Sequence, residues 1–307
     1  MIINDSVISG GEKIIFALRE IYFKNGFRPY RMSKFEEYDL YAKNKDFLVS
    51  DNVITFTDTS GKLMALKPDV TLSIIKNIKD SPDEISRLYY NENVYRISKG
   101  TNTFKEIMQS GLECIGKVDG ECIAGVVSTA VQSLQAISGK FILDVSDLDI
   151  VSALIDRAGD LKGVKNRLIS LFGEKNAHEA ARICRENGAG EEYIKAIKEL
   201  ISLYGKPEKI MPELRRILSG VGLGGEFALF ENIIKSFDKA GIADEVNIDF
   251  SVVSDMNYYN GVVFKGFVDG AADSVLSGGQ YDNLMKKMKK KSKAIGFAVY
   301  TDRLPVD

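Results

Sequence analysis

The sequence has few of the residues on which many hydrolases and metalloproteins depend. His178 is the only histidine. It lies in a polar segment with the pattern of a surface helix, so multi-histidine metal sites and ordinary serine or cysteine triads are nearly excluded. The three cysteines (Cys114, Cys122 and Cys184) are odd in number and contain no Cys-x-x-Cys pair. They indicate neither a disulfide framework nor a zinc site, and no metal is expected.

Other common signatures are also missing. No apolar run approaches the ~20 residues that a membrane-spanning helix needs. The amino-terminal residues lack the basic and apolar regions of a signal peptide, so a cytoplasmic protein without membrane association is expected. No Gly-x4-Gly-Lys-Ser/Thr motif occurs, which leaves a P-loop site without support. The Gly-x-Gly-x-x-Gly spacing at residues 220–225 lies in a helical pattern, and the chain lacks the β-α alternation of a Rossmann fold, so no cofactor is expected.

The charge balance argues against a general nucleic-acid binder. The chain has 41 basic and 43 acidic residues and a net charge of −2. Residues 286–293 contain six lysines. Because no aromatic residue interrupts this run, we interpret it as a solvated helix end and loop, with RNA or phosphate binding as the alternative. No nucleic-acid partner is expected.

The remaining composition is that of a globular α+β protein. The chain has 307 residues, of which 45% are hydrophobic and 27% charged. Strand patterns predominate in residues 1–146 and 240–307, which we expect to form a sheet core, whereas residues 147–239 read as a mostly helical insertion. Residues 53–56 and 63–66 predict a hairpin. The Asn260-Gly261 pair predicts another, between residues 246–253 and 262–268.

Four segments in order carry a family resemblance. They are Leu-Lys-Pro-Asp-Val-Thr at 66–71, the strand–loop–strand at 87–116 with Gln-x-Gly-x-Glu at 109–113, Tyr-Tyr-Asn-Gly at 258–261, and Ser-Gly-Gly-Gln-Tyr-Asp at 277–282. Together they resemble the motifs of histidyl-tRNA synthetase, a class II aminoacyl-tRNA synthetase. The resemblance implies an antiparallel sheet flanked by helices. Because the chain stops four residues after Arg303, no anticodon-binding domain is expected.

The departures from that pattern fall mainly where ATP and tRNA would bind. Ser254, Ser98 and Gln280 stand where the synthetase pattern has arginine, glutamate and arginine. Tyr300 replaces a glycine that lets the backbone approach ATP, and Ser33 replaces the usual proline of motif 1. Without the arginine at 254, the charge that develops during carboxylate activation lacks a stabilising cation.

This uneven pattern resembles the regulatory subunits of ATP phosphoribosyltransferase, a family of histidyl-tRNA synthetase paralogues. That resemblance implies a non-catalytic subunit that the short-form catalytic subunit requires in the first step of histidine biosynthesis. It also implies histidine as an effector and a homodimeric core within a hetero-octamer. Two alternatives stay open: a histidyl-tRNA synthetase in catalytic-domain form, or another paralogue that binds an amino acid or RNA.

The motif positions imply seven side chains that would hold free histidine: Asp69, Thr71, Arg96, Gln109, Glu113, Tyr258 and Tyr259. By resemblance, Asp69, Thr71 and Gln109 would face its ammonium group. Arg96 would face its carboxylate, because a carboxylate is best bound by a cation or by N–H groups. Glu113 and one tyrosine would contact the imidazole ring.

The residues themselves leave room for other interpretations. Glu113 lies in an apolar strand, where a buried carboxylate is costly unless it is paired, although an edge strand with a solvated face is the alternative. Strand alternation predicts that the rings of Tyr258 and Tyr259 point to opposite faces, so that only one lines a site, and packing explains either ring as well. Asp69, after Pro68, could simply cap a helix.

Overall fold

The computed structural model describes residues 8–45, 48, 53–97, 103–253 and 258–305. Within those ranges, every helix is too short or too polar to cross a membrane. Twelve strands form one sheet of nine and one of three. The predicted positions Ser98 and Ser254, and most of the loop after β5, lie outside the described residues.

The elements of the amino-terminal part are α1 (Gly10–Lys24), β1 (Arg28–Pro29), β2 (Phe35–Glu37), α2 (Tyr38–Ala42), β3 (Thr55–Thr57), β4 (Leu63–Leu66), α3 (Thr71–Asn77), β5 (Ile85–Ile97), β6 (Phe104–Gly116), α4 (Gly120–Ile137) and β7 (Phe141–Asp147). Helix α1 begins at a capping box in which the Ser9 hydroxyl accepts from the Glu12 N–H and the Glu12 carboxylate accepts from the Ser9 N–H.

The elements that follow are α5 (Leu148–Arg157), α6 (Lys165–Gly173), α7 (Ala177–Glu186), α8 (Glu191–Ser202), β8 (Tyr204–Gly205), α9 (Pro207–Gly220), α10 (Gly224–Ala240), β9 (Val246–Asp249), β10 (Asn260–Val268), β11 (Leu276–Gln280), α11 (Asp282–Lys287) and β12 (Lys293–Tyr300). His178 is exposed on α7, as predicted. The lysine run closes α11 and is mostly exposed, but Lys290 Nζ donates to the Ile78 carbonyl oxygen.

The large sheet has the strand order β1-β5-β6-β12-β11-β10-β7-β9-β8. Its neighbours are antiparallel except for β1–β5 and β7–β9, which are parallel. The predicted α+β class, with a mainly antiparallel sheet flanked by helices, is therefore confirmed. Helices α5–α10 lie between β7 and β9 in the chain, and β8 from this region joins the edge of the sheet through β9.

Two local strand predictions had different outcomes. The hairpin at residues 53–66 is present, with β3 antiparallel to β4 and the Asp58 carboxylate accepting from two backbone N–H groups of the turn. The hairpin at Asn260-Gly261 was wrong, because β7 lies between β9 and β10. Pairing with buried β7 outweighs the local turn preference of Asn-Gly, and Gly261, with φ of 56°, instead lies at an irregularity where β10 begins.

The two faces of the large sheet pack on different cores. Leu112 and Cys114 of β6 contact a core that includes α1 and α4. Their neighbour Ile115 joins a second core with α3, α11 and the small sheet. All three cysteines are free and buried, and the Sγ atoms of Cys114 and Cys122 are 2.8 Å apart.

Candidate functional site

A cavity of about 410 Å³ lies over the second face of the large sheet. Strands of this sheet form its floor. Across these strands, Gly279 of β11 pairs with Gly296 of β12, and Gly296 pairs with Glu113 of β6. Two residues from Gly279 on β11, Ser277 pairs with Lys265 of β10. Because glycine has no side chain, neighbouring side chains occupy the space beside the two glycines: Glu113 beside Gly296, and Tyr259 beside Gly279.

All seven side chains of the predicted histidine site line this cavity. The remaining lining residues are Leu48, Tyr90, Val253, Lys265, Ser277, Tyr281, Gly296, Phe297, Ala298 and Tyr300. The cavity therefore joins residues from five strands with the start of α3 and the segment before β10.

Glu113 is the most deeply buried carboxyl group of the site, with 2% of the residue exposed. Its Oε1 accepts from Thr71 Oγ1 at 2.7 Å, and its Oε2 accepts from Tyr281 Oη at 2.6 Å. Burial raises the pKa of Glu113 to about 8, although the two hydrogen bonds oppose this shift. The solvated edge-strand alternative is wrong, because β6 lies between β5 and β12.

The position of Glu113 depends on Gly296 across the strand pair. A Cβ atom at residue 296 would lie 1.8 Å from Glu113 Oε2 and 2.5 Å from the Leu112 carbonyl oxygen. The carboxyl group therefore occupies the space that a side chain at 296 would fill. This arrangement directs the carboxyl group across the floor towards Tyr281.

Asp69 and Thr71 reach the cavity from the beginning of α3. Asp69 Oδ1 accepts from the Leu72 N–H at 2.9 Å, so the predicted capping contact is present. Asp69 also lines the cavity, so the capping contact does not exclude the predicted ligand role. Burial raises the pKa of Asp69, while the Leu72 N–H and the nearby Arg96 guanidinium act in the opposite direction.

Arg96 and Gln109 lie on the long hairpin of β5 and β6. Gln109 is buried, whereas Arg96 is half-buried. Arg96 Nε donates to the Pro68 carbonyl oxygen at 3.1 Å, which fixes the guanidinium beside the start of α3.

Both tyrosines of the pair line the cavity, which corrects the prediction that only one does so. Their ring centroids are 4.6 Å apart and the ring planes are tilted by 57°. The prediction assumed a regular strand, but Tyr258 and Tyr259 precede β10, which begins at Asn260. Strand alternation therefore does not apply to them.

The positions that depart from the synthetase pattern make contacts of their own. Gln280 is absent from the cavity lining, and its Oε1 accepts from the Val262 N–H at 2.9 Å where β10 is irregular. Tyr300 forms part of the cavity wall. The Arg303 guanidinium lies 4.5 Å from the centre of the Tyr300 ring and donates to the Ser274 carbonyl oxygen.

Sequence reasoning missed Lys265, Ser277 and Tyr281 as lining residues. Lys265 is the only charged residue of β10, and this signal could have identified it. Tyr281 lies within a motif that was recognised, but its hydrogen bond to Glu113 depends on the pairing of distant strands. Among the described residues, no cluster of three or more His, Cys, Asp or Glu side chains could hold a metal ion.

Chemically, the cavity contains both hydrogen-bond acceptors and cations. Glu113, Asp69 and several tyrosines line it, while Arg96, near Asp69, and Lys265 contribute positive charge. Such a site suits a small zwitterion with a polar ring, because an ammonium group, a carboxylate and ring nitrogens each require a different partner.

Comparisons with known proteins identify the family to which this chain is similar. A family model described as histidyl-tRNA synthetase matches residues 9–304. An ATP phosphoribosyltransferase regulatory subunit from Clostridium novyi (strain NT) is 29% identical over 308 residues, covering 94% of this chain and 70% of the relative. The resemblance to that group of proteins is therefore confirmed.

Two solved structures share the fold. An ATP phosphoribosyltransferase regulatory subunit/histidyl-tRNA synthetase from Bacillus halodurans matches with a TM-score of 0.82 at 24% identity, covering 96% of this chain and 78% of that one. A chain of an ATP phosphoribosyltransferase complex from Thermotoga maritima matches with a TM-score of 0.70 at 19% identity, covering 98% of both. With nearly the whole length matched by the family model, the chain belongs to the histidyl-tRNA synthetase family.

Proposed function

We propose that this chain is a non-catalytic regulatory subunit of ATP phosphoribosyltransferase, acting with the short-form catalytic subunit in the first step of histidine biosynthesis. The names of its relatives support this role. The observation that carries the proposal is that the cavity keeps the side chains implied for an amino acid but differs from the synthetase pattern where ATP would bind. The side chains implied for an amino acid are together, whereas Tyr300 stands where the synthetase pattern has glycine.

The contacts of Tyr300 support the loss of ATP activation. Its ring forms a wall of the cavity and lies against the Arg303 guanidinium. Arg303 is in turn held by the Ser274 carbonyl oxygen and, at 3.3 Å, by the Asp273 carboxylate. An arginine engaged in this way is not free to bind a nucleotide phosphate.

Histidine is the ligand that we propose for the cavity, and feedback inhibition is the role that we propose for its binding. Asp69, Thr71 and Gln109 would take the ammonium group. Arg96 would contribute to binding the carboxylate. Glu113 and the tyrosine pair would contact the ring, with Glu113 held in place by Thr71 and Tyr281.

For the assembly, we propose a homodimeric core that the catalytic subunit joins, giving the hetero-octamer that the resemblance implies. Residues 147–239 would form the helical insertion in the synthetase-like core. Ser33, at the proline position of motif 1, accepts a hydrogen bond from the Phe35 N–H just before β2. Light scattering at tens of micromolar tests this assembly, and a strict monomer would contradict the homodimeric core.

The decisive experiment is co-expression with a short-form catalytic subunit, followed by purification through a tag on one chain. We expect the two chains to purify together and ATP phosphoribosyltransferase activity to require both. Histidine should then inhibit the complex. Full activity of the catalytic subunit alone, or no association between the chains, would contradict the proposal.

The alternative of an active histidyl-tRNA synthetase predicts a different reaction. An active enzyme would exchange pyrophosphate with ATP when histidine is present. We expect no exchange above a blank without protein, because the positions of Gln280, Tyr300 and Arg303 are committed to structural contacts. A clear histidine-dependent rate would favour the synthetase. Histidine binding without association to a catalytic subunit would instead favour another amino-acid-binding paralogue.

A further inference from the structure

The cavity contains a second cation that the family motifs do not identify. Lys265 lies near the middle of β10, is half-buried and lines the cavity. Within the described part of the chain it forms neither an ion pair nor a hydrogen bond through its side chain. The nearest carboxyl group in the register is Asp144 of β7, whose Oδ1 instead accepts from Asn247 Nδ2.

Arg96 is less available than Lys265. Its Nε already donates to the Pro68 carbonyl oxygen, and its charge also acts on the nearby Asp69 carboxyl group. An ammonium group that is partly removed from water and has no partner is costly, and an anion beside it offsets that cost. Lys265 is therefore the cation best able to accept a charged group from a ligand.

We infer that Lys265 binds the carboxylate of the amino acid that occupies the cavity and so selects for a free amino acid. This inference rests on the proposed histidine ligand and assigns one end of it. The ammonium and ring would lie towards Asp69 and Glu113, while the carboxylate would lie over Ser277 towards Lys265 instead of beside Arg96.

The register fits this orientation. Glu113 and Lys265 lie on strands separated by β12 and β11 and are offset by two residues along the strands, which corresponds to about 16 Å between their Cα positions. The Glu113 side chain extends over Gly296, and a lysine side chain that reaches into the cavity from β10 covers a further part of that separation. The remaining gap has the scale of one small amino acid, and the floor beneath it includes Gly296, Ser277 and Ala298.

The test compares two ligands that differ only in the group assigned to Lys265. Histidine carries the carboxylate, and histamine lacks it. Calorimetry on the full chain should give a histidine affinity about tenfold weaker or more in Lys265→Met, since losing one partner of a partly buried charge pair has an effect of at least this order. Histamine should bind wild type and Lys265→Met equally.

Two further variants sharpen the result. Lys265→Arg keeps the charge and should bind histidine within about threefold of wild type, since the attraction between the two charges is retained. Lys117→Met is the matched control, because Lys117 is exposed on the turn before α4 and should leave both ligands unaffected.

The outcomes separate this inference from the proposed ligand. If Lys265→Met binds histidine as wild type does, or loses histidine and histamine equally, the carboxylate assignment is overturned while the histidine site stands. If wild type binds neither compound in the millimolar range, both the histidine proposal and the Lys265 assignment are overturned.

Discussion

The two faces of strand β6 carry different kinds of side chain. Gln109 and Glu113 line the cavity, and Gly111 between them leaves room for the Tyr90 side chain, which also lines it. Leu112 and Cys114 point the other way into a closely packed apolar core. One strand therefore contributes to both recognition and stability, and the alternation of its side chains keeps the two roles on separate sides.

This difference between the two faces predicts which substitutions should affect stability and which should affect ligand binding. The core face should tolerate little loss of volume, because a cavity left there cannot be filled without moving neighbours. The cavity face already holds open space and buried groups that are costly to the fold. Substitutions on it should therefore change ligand binding more than they change the free energy of unfolding.

The largest effect is expected on the core face. Phe264 of β10 is fully buried and its ring lies 6.2 Å from that of Phe297. Phe264→Ala should reduce the free energy of unfolding by about 3–5 kcal/mol, because it removes buried apolar surface and leaves a cavity. Chemical denaturation measures this change. Phe104→Ala is the control, since Phe104 is 72% exposed and its loss should have little effect.

The cavity face should behave in the opposite manner. Glu113→Ala removes the carboxyl group that we assign to the ligand ring, and should weaken histidine binding at least ~30-fold, or about 2 kcal/mol. Calorimetry on the full chain measures the affinity. Glu121→Ala, at an exposed position of α4, should leave it unchanged. Equal binding by wild type and Glu113→Ala would remove Glu113 from the site.

The raised pKa of Glu113 should make the free energy of unfolding depend on pH. Its pKa is about 8 in the folded chain, above its ordinary value of 4.5, so between these pH values the folded state holds a proton that the unfolded state has lost. Stability should therefore fall as pH rises from about 4.5 to about 8, by at most ~1.4 kcal/mol per pH unit for this group.

Glu113→Gln should reduce that slope, because glutamine does not titrate. Burial also raises the pKa of Asp147, to about 7, so part of the slope should remain. Denaturation series at several pH values measure both slopes. Parallel curves for wild type and Glu113→Gln would show that Glu113 is ionised in the folded chain throughout this range.

The smallest effect concerns Gln280, which lies next to the cavity but serves the sheet. Gln280→Ala removes the acceptor of the buried Val262 N–H, and should reduce the free energy of unfolding by about 1 kcal/mol or slightly more. Histidine binding should remain within about twofold of wild type, because Gln280 does not line the cavity. A large loss of affinity would place Gln280 among the ligand-binding residues.

Much of the fold could be predicted because its signals are local. The β3–β4 hairpin is separated by a short polar turn, and the long β5–β6 pair carries a recognisable motif. Helix α4 follows from its apolar periodicity and begins at the Asp119 cap. In each case, neighbouring residues determine the structure.

The wrong and missing predictions concern features that depend on pairing between strands far apart in the sequence. The Asn260-Gly261 hairpin was wrong because β7 pairs with β10, and nothing near residue 260 encodes that pairing. The tyrosine pair was assigned to a strand that begins only after it. Lys265 was missed because its position beside Ser277 and over the cavity follows from the order of strands in the sheet.

The contact between Glu113 and Gly296 also bears on how this protein can evolve. Any side chain at 296 would meet the Glu113 carboxyl group, so a mutation there is harmful while Glu113 remains. A shorter residue at 113 would remove the conflict with the carboxyl group, but a Cβ atom at 296 would still lie 2.5 Å from the Leu112 carbonyl oxygen. Glycine at 296 should therefore be retained even in a lineage that replaces Glu113 and abandons the ring contact, because the backbone of β6 also excludes a side chain there.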